Sequence, residues 1–158
     1  MHSLSISTLC REFAAILEAT PSQSNGVCLA QAFRTNIRPT ILGRKSRSPL
    51  TIPQFHSFEN LDRNGRALCL GETVILTAEI NPFISKLRKH GILVTALHNH
   101  WLFANPNIWY IHYEKIERPL TFARAVRDAK TVLTRRIVKP LRIVRAKKVN
   151  KLKRIVKA

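Results

Sequence analysis

Thr95-Ala96-Leu97-His98-Asn99-His100 and Asn107-Ile108-Trp109-Tyr110-Ile111-His112-Tyr113 are the stretches whose reading decides this fold. They lie in two runs rich in β-branched and aromatic residues, 92–102 and 107–116, and each run reads as a strand. Side chains alternate faces along a strand, so His98 and His100 point to the same side. A hairpin closing through residues 103–107 sets Leu102 opposite Ile108, His100 opposite Tyr110 and His98 opposite His112. Cross-strand Cβ atoms then stand about 5 Å apart on one face. A slip of one residue would send His112 to the other face and dissolve the group.

Helices flank this hairpin. Upstream, Asn81-Pro82 opens a helix with Asn as cap and Pro in the first turn; Phe83, Ile84 and Leu87 supply its apolar face, and Gly91 ends it. Downstream, Pro119 starts a last helix with Phe122, Ala123, Val126 and Ala129 inward. Residues 67–76 read as a strand interrupted by Gly71, so residues 67–129 run β-α-β-β-α, the order of a ferredoxin-like or split-βαβ unit. Nearer the N-terminus, Leu9, Phe13, Ile16 and Leu17 recur at helical spacing behind Ser7 or Thr8 and stop before Pro21. Residues 21–26 read as a loop, and 27–33 and 36–42 as short strands, the second at an edge because of Pro39. A strand over 54–61 meets the next through the turn Asp62-Arg63-Asn64-Gly65. Strand runs with segregated helices define an α+β class: an antiparallel sheet with helices packed on one face.

A chain of 158 residues that is 45 % hydrophobic can bury one core. We expect a single domain over residues 1–132 and a basic tail, partly helical or disordered, over 133–158. The net charge of +18 is mostly a property of that tail. Residues 130–158 carry twelve Lys and Arg and no acid, which leaves +6 on residues 1–129. Leu133, Ile137, Leu141, Val144, Leu152 and Ile155 fall near one helical stripe among these charges, with Pro140 as a kink. Such a segment suits nucleic-acid phosphate or an anionic membrane as a partner of residues 134–158, or it is a solvated appendage. No aromatic interleaves the charges, so base stacking is not indicated. The basic stretch 43–49 reads as a solvated connection, the alternative being an anion-binding loop facing the histidines.

Cys10, Cys28 and Cys69 are odd in number without C-x-x-C spacing, and read as reduced, largely buried thiols. The N-terminus lacks a secretory pattern, Ser7-Thr8-Leu9 before Cys10 is not a lipoprotein cleavage site, and no run reaches bilayer length. The expected compartment is the cytoplasm. The chain has no P-loop, dinucleotide fingerprint or Gly-x-Ser-x-Gly elbow, and Cys69 reads as inert.

The histidines carry the chemistry. His98, His100 and His112 on one face suit zinc or another divalent metal, with Glu72 or Glu79 as fourth ligand or base. Asn99 and Tyr110 would join His98 and His100 in binding a small ligand. Without metal the same set could serve acid–base chemistry, or form a hydrogen-bonded patch that only fixes the sheet. Glu114 shares strand parity with His112, whereas His2, His56 and His90 read as surface or satisfied histidines.

Gly71-Glu72, Glu79-Ile80-Asn81-Pro82, the run from Gly91 to His100 and Tyr110-Ile111-His112 resemble a bacterial family of unknown function. That family is related to the mycobacterial lipoproteins LppY and LpqO. The likeness spans roughly residues 8–132 and marks the Ala-Leu-His-Asn-His stretch as a family signature, while implying nothing about substrate. An export signal and a lipid-modified cysteine, expected of the lipoproteins, are not read here, and the basic tail lies outside the shared pattern. Two functions of different classes follow: a His-rich ligand or metal pocket, hydrolytic or acid–base, and a non-enzymatic binding protein acting through its tail.

Overall fold

The structure, a computed structural model, describes residues 5–141. Ser7 caps the first helix, α1 (Thr8–Ile16), by accepting a hydrogen bond from the Cys10 amide. The strands β1 (Thr20–Ser24), β2 (Val27–Phe33), β5 (Pro53–Glu59), β6 (Ala67–Leu76), β7 (Leu93–His98) and β9 (Ile108–Glu117) form one sheet. Its order is β1-β2-β5-β6-β9-β7, antiparallel at every junction. Two-residue strands β3 (Thr40–Ile41), β4 (Arg44–Lys45) and β8 (Ala104–Asn105) make a second, small sheet in the order β4-β3-β8. Helix α2 (Ile80–Lys89) joins β6 to β7, and α3 (Pro119–Ala129) follows β9. Because β9 lies between β6 and β7 and opposes both, the C-terminal half is a split βαβ unit followed by a helix, as its element order predicted. The class is α+β.

All three helices pack on one face of the large sheet. Phe13 and Ala14 of α1, Phe83 and Leu87 of α2, and Phe122, Ala123 and Val126 of α3 are fully buried. They meet Ala30, Phe58, Cys69, Ile75, Ile111 and Tyr113 from the strands. Tyr113 organises this core: its hydroxyl bonds His56 Nε2 at 2.7 Å and Thr73 Oγ1 at 2.9 Å. Its ring lies where a Cβ on the opposed Gly71 would be, so Gly71 is required by space and not by backbone conformation. Burial pushes the His56 imidazole down to about 3, with nearby Lys130 adding to the effect.

The opposite face has a smaller cover. Ile37 and Ile52, from the long connection between β2 and β5, pack with Val74, Ile108 and Tyr110, and Trp101 adjoins them. The chain after α3 returns to fasten this cover. Asn36 donates its side-chain amide to the Thr134 and Arg136 carbonyls. Backbone bonds join Arg38 to Val138 and Val138 to Asn36, and the Asn105 side chain makes reciprocal bonds with Leu141. Residues 134–141, expected as the beginning of a tail, are thus built into the fold. The rest of that expectation, residues 142–158, lies outside the described residues, as does His2.

Several expectations need correction. Residues 20–24 form an edge strand where a loop was expected, and of residues 36–42 only 40–41 are strand, in the small sheet. Helix α2 begins at Ile80, with Glu79 at its N-cap position in place of Asn81. Cys10 and Cys28 are joined in a disulfide, their Cα atoms 5.6 Å apart. The helix-to-strand return brings them together, and spacing alone gave no sign of it. Cys69 is a free, buried thiol, and burial raises its pKa to about 12. No helix among the described residues is long and apolar enough to cross a membrane.

Candidate metal centre

The site lies on the face away from the helices, toward one edge of the large sheet. Strand β7 is that edge, and it pairs with β9 through Leu93↔Glu114 and Val94↔Tyr113, then Ala96↔His112, Leu97↔Ile111 and His98↔Tyr110. One residue, Thr95, is bulged out between the two registers. Without the bulge His98 would face the helices, because a shift of one residue inverts every side chain. The bulge therefore turns Ala96 and His98 to the face shared by His112. The expected pairing of His98 with His112 is displaced by two residues, an even shift that keeps both on the same side.

His98, His100 and His112 converge so that one ring nitrogen of each lies within 4.8 Å of the others. Nε2 of His98 and Nε2 of His112 are 3.0 Å apart, a hydrogen bond in which the tautomer decides the donor. His100 stacks on Tyr110 with ring centroids 3.7 Å apart and planes 7° from parallel. Tyr110 is held in turn from behind, donating its hydroxyl to the Thr51 carbonyl at 2.9 Å. Desolvation lowers the His100 pKa; His98 and His112 lower it further, against the opposing pull of Glu72. His98 and His100 are exposed and His112 half-buried, so solvent reaches the ring nitrogens.

The other expected residues separate cleanly. Glu72 is the cross-strand partner of His112 and lies on the same face, half-buried. Glu79 takes no part in the cluster, because both its oxygens are committed elsewhere. Arg34 grips it with two bonds of 2.6 and 2.9 Å, and the amides of Leu76 and Thr134 donate to the same carboxylate. Burial pushes Glu79 up, but the Arg34 contacts and these amides outweigh it and hold the carboxyl below its ordinary value. Asn99 donates to the Ile108 carbonyl at 2.7 Å, fixing the loop to the start of β9, and Tyr110 offers its ring and not its hydroxyl. Glu114 lies opposite Leu70 and Leu93 on the cluster's face. His90 pairs with Asp128 at 2.8 Å, and His56 is the buried partner of Tyr113.

The histidines lie on an open face and not in an enclosed pocket. A cleft of about 470 Å³ lies elsewhere, lined by residues that include Arg34, Gln54, Arg127, Lys130 and Arg135. The Arg34–Glu79 pair left no sign in the sequence, its members standing 45 positions apart.

Fold and face together define an α+β domain with a solvent-reachable histidine triad on its sheet. The chain belongs to the family described as Domain of Unknown Function (DUF1259), whose model matches residues 11–132. No curated protein and no solved structure matches it.

Proposed function

We propose that His98, His100 and His112 hold a divalent transition metal of the zinc type, with Glu72 as fourth ligand or as base toward a bound water. The convergence of the three imidazoles carries this reading. Two nitrogens on a tetrahedral ion with bonds of about 2.0–2.1 Å stand roughly 3.3 Å apart, and His98 and His112 need to open by only a few tenths of an ångström from 3.0 Å. Three imidazole ligands with an open position suit Lewis-acid activation of water, so small-ligand hydrolysis is the reaction class the set would serve. Tyr110 supports one ligand from below by stacking on His100, the supporting role that fixes ligand orientation in such sites.

Zinc titration of untagged protein, followed by calorimetry and elemental analysis, tests this. We expect near-stoichiometric zinc that a His98→Ala/His100→Ala variant loses. Native protein that takes up no zinc, cobalt or nickel would overturn the reading. It would favour the second one, in which the His98–His112 bond and the His100–Tyr110 stack are a polar network fixing the sheet.

Kinship with LppY and LpqO is part of the proposal, supported by the Glu79-to-Pro82 and Ala96-to-His100 strings. The Cys10–Cys28 disulfide favours an oxidising compartment over the cytoplasm. A single domain with a basic C-terminal tail stays part of the proposal, the domain extended to take in residues 134–141.

A further inference from the structure

Among the described residues the four most exposed large apolar side chains are Phe103, Leu141, Leu102 and Leu42, at 76, 76, 75 and 74 %. The small sheet brings them to one end of the molecule. Ile41 pairs with both Arg44 and Ala104, so Leu42 and Phe103 leave the same rung as neighbouring tips. Leu141 is tied to Asn105, two residues beyond Phe103, and Leu102 precedes Phe103 directly. Leu42 and Phe103 hold φ of 51° and 61°. Left-handed backbone suits Gly or Asn and disfavours bulky apolar residues. Both tips thus present a hydrocarbon to water where turn chemistry alone would place a polar residue or glycine.

Their surroundings carry one sign of charge. Arg44 and Lys45 form β4 beside Leu42, and Arg47 follows, all exposed. The three segments that meet here, residues 34–52, 99–108 and 134–141, contain no acidic residue. The sequence continues from Leu141 with eight Lys and Arg in residues 142–158 and again no acid.

We infer that this end of the domain docks on an anionic lipid bilayer, Leu42, Leu102, Phe103 and Leu141 entering the headgroup boundary while the flanking cations meet lipid phosphate. Apolar insertion combined with basic charge is the pairing that makes interfacial binding stable. Nucleic acid would use the cations but gives four protruding hydrocarbon groups nothing to enter. This surface is independent of the metal reading.

Sedimentation of the full chain with vesicles tests it, using phosphatidylcholine alone and phosphatidylcholine mixed with phosphatidylglycerol. We expect binding to the mixed vesicles only, weakening as salt rises. Leu42→Asn/Phe103→Asn, whose new residues suit the left-handed backbone, should bind about a hundredfold more weakly, roughly tenfold for each side chain removed. Arg44→Ser/Lys45→Ser, on exposed positions, should lose about fivefold per charge. A Phe103→Trp chain should show a blue-shifted emission on mixed vesicles. Wild-type protein that ignores mixed vesicles, or a Leu42→Asn/Phe103→Asn variant that binds them as the wild type does, overturns the proposal. So does duplex DNA binding that is lost in that variant when vesicle binding is absent, which would assign the face to nucleic acid.

Discussion

Replacing Gly71 with Ala adds one methyl group, and the structure gives it no place to go. Built on the Gly71 backbone, a Cβ would lie 2.5 Å from Cζ of Tyr113 and 2.8 Å from Cδ2. Gly71 is in ordinary strand backbone, where Ala is normally better than Gly by about 0.5–1 kcal/mol, so the substitution isolates the clash. The Tyr113 ring must move, at about 1–3 kcal/mol for overpacking. Its hydroxyl then leaves His56 and Thr73, whose buried polar atoms cost about 1–3 kcal/mol when unpaired. Set against the backbone gain, these give a net loss of about 1–5 kcal/mol for Gly71→Ala, up to a large part of a typical domain's stability. Denaturant unfolding of Gly71→Ala, Tyr113→Leu and the double variant supplies the assay. With the ring gone, the alanine should become neutral or stabilising, an interaction energy above about 2 kcal/mol. An equal cost in both backgrounds, or a cost under about 1 kcal/mol in the native one, would refute the argument.

Two further predictions concern the core. His56 is held neutral by burial, with a folded pKa of about 3 against an ordinary 6.5. The unfolded chain takes up the proton first, so this stability is present above pH 6.5. It is lost as pH falls toward 3, at roughly 1 kcal/mol per pH unit; unfolding curves of wild type and His56→Phe that keep the same separation across that range would contradict it. Reducing the Cys10–Cys28 bridge, which spans 18 residues, should cost about 3 kcal/mol. Thiol titration should find no reactive cysteine in native protein and one, Cys69, after unfolding without reductant; three would mean the bridge is absent.

The sequence made the periodic elements legible. Phe122, Ala123, Val126 and Ala129 mark α3 because a helix that packs on a sheet must bury one stripe, and the same rule found α2. The split βαβ unit followed from element order alone. Thr20–Ser24 escaped notice because an edge strand of polar residues carries no apolar alternation, and only pairing with β2 defines it. Strand parity found His98 and His112, although the register was wrong by two residues and the Thr95 bulge that turns His98 outward left no trace in the pattern. The strand expected through residue 102 ends at His98, so His100 joins from the loop by stacking on Tyr110 and not by cross-strand pairing. Glu79 misled for a physical reason. A carboxylate before a helix looks available until a distant arginine, here Arg34, is folded against it.

Residues 134–141 close the cover over the outer sheet face by bonding to residues 36–38, about a hundred positions earlier in the chain. That separation orders assembly in time. At ribosomal speeds of roughly 5–20 residues per second, Asn36 waits about 5–20 seconds after synthesis before its partners exist. Long-range closures of this kind also come late in folding, since their loop entropy must be met before the contact forms. Until then Ile37 is not clamped over Tyr110, the ring on which His100 stacks. The histidine face is therefore among the last parts of a newly made chain to reach its final shape.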